Sequence, residues 1–333
     1  METKSLLYQK ALGCLLGGLI GDAMGGPTED HTYEEIEKKF GGEVTDFSGG
    51  GTDDTLVKMI LCDAIFTSGG YVTADDFAQA FLRVGAENNR FYGHGVLHNM
   101  FSKLMKNLVL PVYAGLGNSQ TSHSCMMISP MGILNACNPR QASIECFEVS
   151  GLIHADVAPT ARDAACAAGA AVAEAMKKSA TVDSIIEASY SYLHPISSAH
   201  LIERIQTAVH TAKKLQDYKK FRAWYYENNL SGASNDPDET VPCALSLFYL
   251  ADGDPEKAII YGTNFGRDAD TIATISGSIA GTYKGITAFQ SSWLDKMKDA
   301  MPEQEELAKN LIDIAIKRVE NQKEQINLFN QIL

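Results

Sequence analysis

Apolar residues recur three and four positions apart along almost the whole chain, the period of helices that bury one face or more. Strict alternation is nearly absent; "EVTDFS" at 43–48 is the best candidate strand, and it is short. The first apolar run, "LLYQKALGCLLGGLIGDAMGG" over 6–26, predicts a helix that spaces Gly13, Gly17, Gly21 and Gly25 four apart on one face. Each glycine inside a helix costs about 1 kcal/mol relative to alanine, so close packing or a ligand is expected against that face. "TLVKMILCDAIFTSG" predicts a second helix stopped by Gly69 and Gly70, and "TADDFAQAFLRVGAE" a third with acids in its first turn. An Ala-rich helix from Pro159 closes on Lys177 and Lys178, and further helices are expected near 181–193, 197–216, 217–228, 240–251, 254–263, 269–284, 291–299 and 302–330. The pattern predicts an all-α fold of a dozen or more helices in a single domain spanning 1–333, since no linker separates two apolar blocks.

Composition narrows the function. Hydrophobic residues make up 45% and charged residues 21%, ordinary for a globular chain with a real core. The net charge of −13 argues against general binding to nucleic acid or an anionic membrane, because both need a basic surface, and suits binding of cations. Seven scattered cysteines without a C-x-x-C pair read as core residues of a reducing compartment. No stretch approaches the ~20 apolar residues of a membrane helix, and the N-terminus lacks a signal pattern, so the expected location is cytoplasmic.

The chemistry concentrates at two helix starts. In "GGGTDDTLVKMI", 49–60, two adjacent acids stand between threonines where one would suffice to cap the helix. "GRDADTIATISGSIAGTYKG", 266–285, repeats the design: a glycine loop, Asp268, Asp270 and Thr271, then a helix with Gly277, Gly281 and Gly285 four apart. Four carboxylates gathered in one place raise each other's pKa and cannot all stay ionised without cations. Hard divalent ions relieve that, and Mg²⁺ prefers such oxygen ligands; a pair of ions ~4 Å apart bridged by carboxylate is a known catalytic arrangement.

These elements, with "GCLLGGLIGDAMGGPTE" at 13–29 and "GLIHADVAPTARDAA" at 151–165, resemble the ADP-ribosylglycohydrolase family, in that family's order across residues 11–285. The resemblance implies an all-α fold with a two-magnesium centre (manganese substituting in some members) and hydrolysis of a glycosidic bond at the anomeric carbon of a ribose. By position it implies Thr52, Asp53, Asp54, Asp268, Asp270 and Thr271 as metal ligands. Glu29 matches an acid that approaches the metals, and the catalytic set expected here is Glu29, Asp54 and Asp268. The chain departs from the family at "CMMISPMG", where Met127 stands in place of a common arginine.

Substrate contacts are expected from Gly117, Asn118 and Ser119, in a loop over 114–124 whose N–H groups can cradle phosphate, from His154 and Asp156, and from Arg267. The alternatives are an ordinary surface loop for the first three residues and a structural cap for His154 and Asp156. His94 and His98, four apart, form half a zinc site with no third ligand nearby, and His123 with Cys125 lacks a third member for a triad. Three functions remain: an ADP-ribosyl hydrolase acting on a protein or small-molecule acceptor, a hydrolase of a smaller N-ribosyl compound, and a non-catalytic binding protein keeping the fold. The intact acidic clusters favour the enzyme.

Overall fold

A computed structural model describes residues 5–88, 95–156 and 159–333. The helices run, in order, α1 Leu6–Gly25, α2 Tyr33–Phe40, α3 Asp53–Ser68, α4 Ala74–Asn88, α5 Gly95–Met105, α6 His123–Met126, α7 Ser129–Leu134, α8 Pro139–Ser150 and α9 Pro159–Ala175. The second half continues with α10 Val182–Ser191, α11 Ala199–Leu215, α12 Tyr218–Asn228, α13 Pro237–Leu250, α14 Pro255–Thr263, α15 Ala269–Lys284, α16 Ser291–Lys296 and α17 Met301–Asn330. No strand occurs among the described residues. The segment 43–48 is therefore not the strand its alternation predicts. The side chain of Asn264 takes the place of a partner strand, accepting from Val44 N and donating to Val44 O, both at 2.7 Å.

The centre of the molecule is the antiparallel pair α1 and α15. A β-carbon on Gly13 would meet Gly281 O at 2.3 Å, one on Gly17 Gly277 O at 2.2 Å, and one on Gly21 Ala273 O at 2.3 Å. The glycine faces expected from both sequences thus pack on each other, backbone to backbone, rather than on a ligand. Because α1 is buried on nearly every side, its apolar residues do not form a stripe. One continuous hydrophobic core runs around this pair, from Tyr8 to Ala315.

The far ends of the pair are pinned too. The buried Lys10 donates to Ala175 O, Thr282 O and Tyr283 O at 2.7–3.0 Å, placing a cation on the carbonyl ends of α9 and α15. Pro242 lies inside α13 and has no N–H for the carbonyl of Asp238; Arg204 Nε donates to that carbonyl at 2.7 Å instead. Asp236 caps the helix by accepting from Asp238 N at 3.0 Å, with Pro237 at its first position, so α13 begins ahead of the expected 240. Helices α2, α5, α6, α7 and α8 lie outside the expected set and join the longer ones around the core. No described helix is long and apolar enough to cross a membrane.

Candidate metal centre and substrate cavity

The antiparallel glycine seam delivers the end of α1 to the start of α15. A β-carbon on Gly25 would fall 2.4 Å from Asp270 Cα, so the two backbones touch there. Beyond α1 the chain turns through Gly26–Thr28, where Thr28 Oγ1 donates to Gly25 O and Thr263 O, both at 2.8 Å. Two reciprocal backbone bonds, Asp30 N to Arg267 O and Arg267 N to His31 O at 2.8 Å, then tie the segment after Glu29 to the loop before Asp268. Asp30 and Arg267 both adopt positive φ, 58° and 63°, a sparsely populated conformation for non-glycine residues that concentrates at functional sites. As a result Glu29, Asp268 and Asp270 each offer a carboxylate oxygen within 4.8 Å of the other two.

Asp22 attaches the start of α3 to the same place. It is fully buried, and its carboxylate accepts from Thr52 N at 2.9 Å, Thr52 Oγ1 at 2.8 Å, Thr55 N at 3.0 Å and Thr55 Oγ1 at 2.5 Å. A hydroxyl that gives its proton to Asp22 keeps lone pairs for a cation. Asp22 is not among the expected site residues; its signal in the sequence is a carboxylate in an otherwise apolar helix interior. Across the seam, Thr271 Oγ1 donates to Asp54 Oδ2 at 3.5 Å, while Asp54 Oδ1 is buried without a hydrogen-bond partner. Thr240 Oγ1 fixes Asp268 Oδ2 at 3.0 Å, and Thr271 N fixes Asp270 Oδ1 at 2.8 Å.

Crowding shows in the protonation equilibria. Burial, then Asp30, Asp53 and Asp22, pushes Glu29 up to about 6, although it stays exposed on the rim. Burial foremost, with Glu29 adding and hydrogen bonds from Ser122 and Thr240 opposing, pushes Asp268 up to about 7. Asp54 and Asp270 are raised well above the usual carboxylate range by burial and by the neighbouring acids. An orphaned buried oxygen, carboxylates in excess and neutral hydroxyls between them fit a hard divalent cation.

This acidic floor opens into a cavity of about 690 Å³. Asp53, Asp54, Asp268, Asp270 and Thr271 line one end with Glu29; Asn99, Asn118, Ser119, Thr121, Ser122 and His123 line the wall. Of the expected substrate residues, Gly117, Asn118 and Ser119 border the cavity. The N–H of Gly117 is already taken by Asp156, at 3.1 and 3.3 Å, and that of Asn118 by Gly115 O. Those two N–H groups are therefore engaged within the protein, and Asp156 ties the 114–124 loop rather than capping the helix that follows it.

His154 stands behind the wall, wholly buried. Its ring nitrogens meet Ser124 Oγ at 2.6 Å and Thr121 Oγ1 at 3.1 Å, and burial pushes it down to about 3, so it is neutral. Thr121 Oγ1 also bonds His123 Nδ1 at 2.8 Å, and His123 Nε2 lies 3.9 Å from Asp53 Oδ2. Arg267 turns away from the cavity into a bidentate pair with the fully buried Glu239, at 2.7 and 2.9 Å. Met127 is in the core, and Met126 is the residue that borders the cavity. His94 lies outside the described residues, and His98 meets Ser102 Oγ at 3.3 Å.

All-helical in its regular elements among the described residues, with the acids of the α3 and α15 starts bordering one polar cavity, the chain has the make-up of the ADP-ribosylglycohydrolase class that its sequence matches. The chain belongs to the ADP-ribosylglycohydrolase family, whose sequence model matches residues 3–324. It is 30% identical over 337 residues to an uncharacterized protein of Archaeoglobus fulgidus, covering 94% of this chain and 99% of that one. It is 27% identical over 312 residues to the uncharacterized protein YegU of Escherichia coli, covering 84% and 89%. The ADP-ribosylhydrolase ARH3 of Danio rerio is 25% identical over 362 residues, covering 93% and 91%. Among solved structures, an ADP-ribosylglycohydrolase-related protein complex shares the fold, with a TM-score of 0.70 at 22% identity over 93% of this chain and 99% of that one.

Proposed function

We propose that this chain is a magnesium-dependent hydrolase that cleaves the anomeric bond of an ADP-ribosyl group from a protein or small-molecule acceptor. The observation that carries the reading is the approach of the α3 and α15 starts, where Thr271 Oγ1 donates to Asp54 Oδ2 and the other buried Asp54 oxygen has no partner among neighbouring acids. Thr52, Asp53, Asp54, Asp268, Asp270 and Thr271 would hold two Mg²⁺ ions, with Mn²⁺ able to substitute. Such ions supply Lewis-acid stabilisation and make water a better nucleophile near neutral pH.

The chain's own residues do the rest. Glu29, on the rim and poised near 6, accepts a proton from the attacking water as the new bond to the anomeric carbon forms. The bond from that carbon to the acceptor breaks, its electron pair leaves on the acceptor atom, which takes up a proton from solvent, and the carboxylates beside the anomeric carbon stabilise the oxocarbenium-like charge. Thr240 and Ser122 keep the Asp268 carboxylate oriented. Asn99 and Ser119, at the wall, offer hydrogen bonds to hydroxyl groups of the sugar.

The test is release of ADP-ribose from ADP-ribosylated acceptors with Mg²⁺ and with EDTA, beside calorimetry with ADP-ribose and with a nucleoside. Glu29→Gln is expected to melt normally and lose roughly 10²-fold in turnover, the scale of lost acid–base help. Asp54→Asn is expected to abolish the metal-dependent rise in melting temperature. Absence of that rise in the unaltered protein, with no bound metal by elemental analysis, overturns the metal reading. Nucleoside turnover without ADP-ribose binding moves the substrate to the smaller N-ribosyl class.

A further inference from the structure

One turn beyond Asp54 on α3, on the same face, stands Lys58, with 1% of its surface exposed. Its ammonium makes no hydrogen bond among the described residues. It reaches into the glycine seam, 3.0 Å from where a β-carbon on Gly18 would stand, beside the equally unpartnered Ser278 hydroxyl at 2.5 Å from the same point. Gly18 is therefore the vacancy that admits it. An unpaired buried ammonium is costly and persists where opposite charge lies close. The ionisable groups facing it are Asp22, Cys14, Asp54 and Cys62. Burial lowers the lysine's own pKa and pushes the two thiols up to about 11 and about 12, so the thiols are neutral and the carboxyls of Asp22 and Asp54 are the groups that favour its charged form.

The charge balance gives the lysine a role. Asp22, Glu29, Asp53, Asp54, Asp268 and Asp270 bring six carboxylates together. Two divalent ions neutralise four of those charges, and a fixed ammonium behind the floor offsets one more. The same ammonium repels an incoming cation. We infer that Lys58 is a built-in counter-ion of the metal centre, holding the α3 acids in place before metal arrives and weakening divalent-ion binding so that the ions exchange. The inference rests on the metal reading proposed above.

Its test is titration calorimetry with Mn²⁺ at pH 8 on the full-length protein and on Lys58→Met and Lys58→Gln, with melting curves in EDTA and in saturating Mn²⁺. Removing a fixed positive charge within the screened range of a divalent ion is expected to tighten Mn²⁺ binding by about tenfold or more. The Mn²⁺-induced rise in melting temperature should grow in step. Equal affinity for the unaltered protein and both variants overturns the counter-ion role while leaving the metal centre standing. No binding by the unaltered protein removes the metal centre itself. If the variants unfold without metal, Mn²⁺ is expected to restore them, because the ions replace the missing charge; variants that stay unfolded in saturating Mn²⁺ overturn the inference.

Discussion

Asp22→Asn tests whether one buried carboxylate holds the whole start of α3. The native carboxylate accepts two N–H and two O–H bonds from Thr52 and Thr55. An amide of the same shape keeps one accepting oxygen and turns an NH₂ group toward the remaining donors. A threonine hydroxyl can rotate to accept from it, but the Thr55 N–H cannot, and a buried orphan donor costs about 1–3 kcal/mol. The surviving bonds lose the charge that made each worth about 1.5–3 kcal/mol instead of about 1. Together the expected destabilisation is about 3–4 kcal/mol. At an unfolding entropy of about 2.1 cal/mol/K per residue, a chain of this size would melt about 5 °C lower. The assay is calorimetric melting in EDTA, where no metal compensates. Thr55→Val serves as the second edge of a double-mutant cycle, with coupling of 1 kcal/mol or more expected. A melting temperature within about 1 °C of the unaltered protein would refute the anchoring argument.

Three other outcomes follow from the same geometry. Gly17→Ala sets a methyl group 2.2 Å from a backbone oxygen that cannot yield, and is expected to cost more than 3 kcal/mol by denaturant unfolding; Gly232→Ala, with open space around it, should be neutral. Glu29 and Asp268 have folded pKa values of about 6 and 7 against ordinary values of 4.5 and 3.8. The folded metal-free chain therefore binds more protons than the unfolded one between about pH 4 and 7, and these groups remove stability as pH rises through that window. Melting from pH 4.5 to 8 should show the gap between Mn²⁺ and EDTA curves widening with pH, and a constant gap would contradict this. Arg267→Ala leaves Glu239 buried and unpaired, with an expected loss of about 3–5 kcal/mol; unchanged stability with a raised KM would make Arg267 a substrate residue instead.

The sequence disclosed the centre better than its surroundings. Paired acids at helix starts and glycines at fourfold spacing are local patterns, and each survives folding: the acids converge and the glycines form the seam. The roles of Asp22 and Lys58 were illegible for one reason. Each is a single polar residue in a buried helix, and its meaning lies in a partner 30 or more residues away, or in a glycine that makes room for it. His154 and Arg267 looked like substrate contacts because isolated polar residues beside a motif suggest a ligand. The structure gives them protein partners instead, Thr121 with Ser124 and Glu239. The segment 43–48 misled because a side-chain amide can satisfy extended backbone as a neighbouring strand would.

The glycine seam also sets when the protein becomes competent during synthesis. Gly13 and Gly281 touch although 267 intervening residues separate them, and α15 must leave the ribosome before α1 finds the surface it was built to fit. Until then an almost wholly apolar helix waits with its bare backbone face uncovered. Closure over so long a loop is slow, and the waiting helix is the segment most exposed to misassociation. A nascent chain truncated before residue 269 is thus expected to need a chaperone and to hold no acidic centre.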